Sequence, residues 1–167
     1  TDAAFTEFNE YPEINAAGGF APIEAWAWHK KLIARRGNDY DPRVRGRIER
    51  AAGMSAVEYI ALVAARADFI ARVTAAAAPY DALLMPTVAI TAPPVSAFEK
   101  DEDYRRLNAL ILRNTSLINF LDGCAATVPI QPPGTAPIGL MIVGQRGQDR
   151  HILSVSRGIE AALNAAH

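Results

Sequence analysis

The chain has 167 residues, half of them hydrophobic, with 17 basic and 18 acidic side chains and a formal net charge of -1. That length supports one domain with a real core. The near-neutral balance excludes a disordered polyelectrolyte and a nucleic-acid-binding polycation. The arginines, which far outnumber the lysines, read as solvated helix faces matched by acids.

In chain order, Thr1–Asn15 has aromatic residues but no period and predicts irregular structure. Gly18-Gly19 reads as a turn leading into a helix, since no phosphate-loop lysine follows at the right spacing. A helix is expected from Pro22 to about Arg36, with Gly37 as its stop. Trp26 and Trp28, two apart, point to different sides of it. Asp41-Pro42 predicts an N-cap and a short basic helix over Val44–Ala51. Ser55-Ala56-Val57-Glu58 is a capping box opening the longest helix, Ala56 to about Ala78, which Pro79 ends. Val57, Ile60, Ala64, Ala67 and Ile70 form its expected core-facing stripe.

A short strand at 82–86 follows, then a proline-rich loop over Val88–Phe98. Asp101–Asp103 precede Leu107, Leu110 and Ile111, acids at the favourable end of a helix with one apolar face. The stretch Thr115–Gln145 organises the rest. Two Val/Ile/Leu-rich runs predict strands at 125–130 and 138–143, separated by Gln131–Pro137, whose three prolines and one glycine no helix accepts. Asp149 is placed to cap a last helix carrying Ile152, Leu153, Ile159 and Leu163. The fold class is therefore α/β, a mixed sheet flanked by helices. No repeat or linker marks a domain boundary.

Cys124 is alone, so an internal disulfide is excluded and a reducing, cytoplasmic setting is expected. No apolar run approaches a membrane span and no basic leader is visible, so no membrane partner is expected. Thr1 is not an initiator methionine, which predicts that the natural beginning of the chain is missing. A Cys–His nucleophile built from Cys124 with His29 or His151 is the rival chemistry. The cysteine, however, enters an apolar strand, where it is usually a small buried hydrophobe. No two of the three histidines stand at i, i+4, so no metal site is expected, and no cofactor. Thr87, Asn119 and Cys124, each beside a predicted strand end, are candidate substrate contacts.

Arg113-Asn114-Thr115, Asn119, Pro129 and the run Ala136–Gly144 resemble the C-terminal end of amidase signature family enzymes, whose pattern there is roughly R-x-T-x-x-x-N, a strand ending in V-P, then L-P-x-G-L-x-L-x-G. Tyr80–Thr87 is similar to that family's D-x-L-L-x-P-T strand. Asp41–Val44, Glu58-Tyr59 and a last helix with Glu160 also fit, so the resemblance runs from about Gly19 to Leu163. One departure is that Asp122 stands where the family usually has glycine, with Gly123 one residue later.

The resemblance implies hydrolysis of a small-molecule amide by a Ser–cis-Ser–Lys triad in an upstream Gly/Ser-rich segment, which this sequence lacks. It also places Trp26 and Ile23 near the substrate cleft. The chain is therefore expected to be the C-terminal part of an amidase, inactive alone, and to self-associate or pair with its missing N-terminal half. Leu112-Arg113 stands where the amidotransferase branch has a carboxylate, so a plain amidase is expected. A non-catalytic α/β binding or oligomerisation module is the alternative.

Overall fold

The computed structural model describes residues 5–16 and 18–165, and divides into two compact units, Thr1–Ala71 and Arg72–His167. Residues 1–4 of the expected irregular start lie outside the described residues. The rest of that start is ordered locally: a 3₁₀ turn at Thr6–Glu10 is followed by the single-turn α1 (Tyr11–Ile14). A lone turn needs no periodicity. The Asn15 amide closes this one by donating to the Tyr11 carbonyl at 2.9 Å.

Helix α2 (Phe20–Arg36) begins two residues before the expected Pro22, so the proline falls within the first turn, where its missing N–H costs nothing. Gly18 and Gly19, at φ 113° and 71°, form the turn that precedes it. Gly37 follows α2 in right-handed geometry and opens a 3₁₀ turn, Gly37–Asp39. Asp41 caps α3 (Pro42–Glu49), accepting from the Arg43 and Val44 N–H groups at 2.8 and 3.2 Å. His29 Nδ1 and the Tyr40 hydroxyl meet at 2.7 Å, tying α2 to the segment before α3.

The capping box forms as the sequence predicts. Glu58 accepts from the Ser55 N–H at 2.7 Å and its hydroxyl at 2.8 Å, while the Ser55 oxygen accepts from the Glu58 N–H at 3.2 Å. The Ser55 backbone bond, then its side-chain bond, holds the Glu58 carboxyl below its ordinary value.

Helix α4 (Ala56–Ala77) corrects the expected stripe. Val57 is 76% and Ile60 66% exposed, and Ala64 and Ala67 are exposed too, whereas Leu62, Phe69, Val73 and Ala77 are buried. This alanine-rich helix is apolar on several sides, so two stripes satisfy a 3.6-residue period. The larger side chains decide which one turns inward. Burying Phe69 and Leu62 removes more apolar surface, about 1.5–3 kcal/mol each.

The second unit is a three-stranded sheet between two helices. Strands β1 (Leu83–Pro86), β2 (Cys124–Pro129) and β3 (Gly139–Gly144) fall within a residue or so of their predicted positions. Their order is β1-β3-β2 with both pairings antiparallel. As the middle strand, β3 is buried on both faces. Met141 and Val143 pack with Ile118 of α5 (Asp101–Phe120) and with Leu83 and Met85. Ile142 and Val128 pack on the other face with Ile152 of α6 (Asp149–Ala165) and with Val155, Ile159 and Leu163. Of the apolar residues on this helix, Leu153 is 63% exposed, whereas Val155 packs in the cluster. The i, i+3, i+7, i+11 series starts at Ile152, one residue before Leu153.

Helix α5 runs on to Phe120, past the polar residues from Thr115 onward, and ends at Asp122, whose φ of 59° is the left-handed conformation of a helix stop. The Gly123 N–H then donates back to the Ile118 carbonyl at 3.1 Å. Glycine suits that conformation better than aspartate. No described helix is long and apolar enough to cross a membrane.

Candidate functional site

The register gives the sheet two chemically different ends. At one, Pro86 pairs with Leu140, Pro129 pairs with Gly139, and the Thr87 N–H donates to the Gly139 carbonyl at 2.9 Å. Thr87, just past the end of β1, and Thr127 on β2 flank β3, and their hydroxyl oxygens are 3.1 Å apart. They meet because Gly139 presents no side chain between them. A Cβ there would stand 2.5 Å from the Thr127 methyl and 2.7 Å from the Thr87 hydroxyl. The α5 side chain Asn114 braces the same corner, its amide donating to the Pro86 carbonyl at 2.7 Å and its oxygen accepting from Arg113 Nε at 3.2 Å.

At the opposite end, Cys124 pairs with Gly144 and its thiol donates to the Gln145 carbonyl at 3.3 Å. Asn119 is exposed on the last turn of α5, and its backbone carbonyl accepts from the Asp122 N–H at 3.1 Å. Arg146 lies 3.3 Å from the Asp122 carboxylate. Thr87 and Cys124 are thus at opposite ends of the sheet, five residue steps or roughly 17 Å apart along a strand. The structure brings Asn119 and Cys124 to one end and leaves Thr87 at the other. Trp26, in the first unit, is half-buried on α2, whereas Trp28 is 83% exposed.

The residues that sequence reasoning missed are Thr127 and Gly139. Gly139 was visible within a motif, but its purpose depends on two threonines 40 residues apart that only the register places across it. The rival thiol site is not assembled. Cys124 is bonded to Gln145, His29 meets Tyr40, and His151 Nε2 contacts the Asp81 carbonyl at 3.0 Å. Among the described residues no three His, Cys, Asp or Glu side chains are grouped to hold a metal ion. An open polar groove beside Gly37 is lined by Arg35, Arg36, Asp39 and Arg45, but Arg36 is bound to Asp39 at 2.6 Å and Arg45 to Glu49 at 2.8 Å.

Comparison with known proteins finds a family model described as Amidase that matches residues 3–153. A 2-amino-5-chloromuconic acid deaminase from Comamonas testosteroni is 30% identical over 160 residues, which are 93% of this chain and 34% of that protein. The fold is similar to a crystal structure of an amidase, with a TM-score of 0.77 and 22% identity over 93% of this chain and 36% of that one. It is also similar to a chain of an inhibitor-bound vestigial protein complex described as revealing the evolutionary origins of an s-triazine catabolic enzyme. There the TM-score is 0.70 and the identity 15%, over 96% of this chain and 39% of that one. The chain thus spans about a third of the length of these relatives.

Proposed function

This chain belongs to the Amidase family, and from that premise we propose that it is the C-terminal part of an amidase hydrolysing a linear carboxamide or related C–N bond to carboxylate and ammonia. The observation that carries the reading is a family match over residues 3–153 combined with a span of only about a third of the relatives. The deaminase relative, whose name also denotes loss of a C–N bond, supports the reaction class.

In this reading the chain supplies core strands and one wall of the substrate cleft, and the rest of the enzyme supplies the Ser–cis-Ser–Lys triad. The chain's own serines are otherwise engaged or scattered. Ser55 is committed to its cap, and the buried Ser156 hydroxyl donates to the Ile152 carbonyl at 2.7 Å. Ser96 lies in a 3₁₀ turn, Ser116 on α5 and Ser154 on α6. Amide hydrolysis needs a nucleophile, a proton shuttle and oxyanion donors within hydrogen-bond reach of one another.

Thr87 is the leading candidate for substrate contact. Asn119 and Cys124 are further candidates in the same unit, and Trp26 is a separate candidate in the first unit; substitution at a true contact raises KM in a well-folded protein. The missing part, or a second copy, covers the exposed Val57 and Ile60 of α4 and pairs with an open edge of the sheet. The cytoplasmic setting belongs to the same reading. A fluorophosphonate serine probe tests it: the 167-residue chain remains unlabelled, and a longer polypeptide read from the flanking gene sequence is labelled once, at a serine upstream of residue 1. Stoichiometric labelling of a serine within the chain overturns the reading.

A further inference from the structure

We propose that the corner formed by Thr87, Thr127 and Arg113 receives a carboxylate group of the substrate, an inference that names the substrate class within the amidase reading and rests on it. The corner holds more hydrogen-bond donors than it spends. Two hydroxyls 3.1 Å apart use one hydrogen between them, whichever donates, and leave the other hydrogen free. Arg113 is exposed on α5 and spends one of its five N–H donors, Nε, on Asn114 at 3.2 Å. It has no ion pair among the described residues, in contrast to Arg36, Arg45, Arg106 and Arg146, each of which faces a carboxylate. Asn114 bridges the two elements, its oxygen accepting from Arg113 Nε and its amide donating to the carbonyl of Pro86, the residue preceding Thr87.

The acids of α5 are confined to its first turn, Asp101–Asp103, about three turns before Arg113. Residues 82–98, 104–121 and 123–144 contain neither aspartate nor glutamate. Unspent donors and a cation without a local counter-charge match an anionic oxygen acceptor. A guanidinium with a nearby hydroxyl suits the two oxygens of a carboxylate better than one neutral carbonyl. Gly139 keeps the floor between the two hydroxyls open, and any side chain there fills it.

The test uses the continuous polypeptide that contains this chain. Hydrolysis of succinamate, which carries a carboxylate beside its amide, is compared with that of the neutral diamide succinamide, and succinate binding is measured by calorimetry. Arg113→Gln and Thr127→Val each lower the kcat/KM ratio of succinamate to succinamide by about 10- to 100-fold, through KM, the effect of one lost hydrogen bond to a charged group. Thr127→Ser restores the ratio, which a purely structural role for the methyl group would not do. Succinate binding weakens in parallel.

An unchanged ratio in folded Arg113→Gln and Thr127→Val overturns the proposal. So does failure of succinate to bind the parent protein, whether or not amides are hydrolysed. Binding of succinate that depends on Arg113, in a protein that hydrolyses neither amide, sustains the carboxylate corner and removes the amidase reading.

Discussion

Strand β3 begins and ends with glycine, and the two ends have opposite surroundings. Gly144 is closed over: a Cβ there would collide with the Ile152 side chain, which is buried in the cluster beneath α6. Gly139 is open: a Cβ there would meet the Thr87 hydroxyl and the Thr127 methyl, where a hydroxyl pair faces solvent. One glycine makes room for the core and the other for a polar notch. The same residue type thus marks packing at one end of the strand and a candidate site at the other. The difference is set by what lies across the sheet.

Substitution at each end sharpens the contrast. Gly144→Ala has the largest expected effect. Ile152 has no space to retreat, and overpacking costs about 1–3 kcal/mol, read as a lowered denaturant midpoint with unchanged slope. Gly139→Ala costs less, about 1 kcal/mol, because the facing threonines can rotate toward solvent, but it separates the hydroxyls and lowers selectivity for carboxylate-bearing amides. Equal stability losses at the two glycines would break the comparison.

Asp122→Gly, at the closed end, raises stability by about 0.5 kcal/mol. It relieves a left-handed aspartate at φ 59° and gives up only an exposed ion pair with Arg146. A thermal melt of the variant beside the parent reads it.

A reference far from either end gives the smallest effect. The Glu58 carboxyl is held below its ordinary value in the folded chain, so its contribution is present above the unfolded carboxylate range and is lost as pH falls through the folded value. The stability difference between parent and Glu58→Ala is therefore constant above about pH 5 and shrinks below it. The glycine variants shift stability by the same amount with or without that change, as distant sites add.

The elements with local punctuation were legible in the sequence. Asp41, Ser55 and Glu58 declare two helix starts by side-chain chemistry that acts within three residues. Prolines and glycines bracket β2 and β3. The inward face of α4 was not legible, because an alanine-rich helix offers two stripes and only tertiary packing selects one. At the candidate notch, Thr87 was singled out from its place after a strand. Thr127 and Gly139 were not, because cross-strand neighbours depend on register, which local propensity does not encode.

The central claim is that this chain furnishes a wall and core strands of an amidase whose nucleophile lies outside it. Its most direct test is ammonia release from succinamate and short neutral amides, run in parallel on the 167-residue chain and on the longer polypeptide that contains it. The account predicts turnover by the longer polypeptide and none by the chain alone. Turnover by the chain alone, or none by a folded longer polypeptide on any carboxamide, would contradict it.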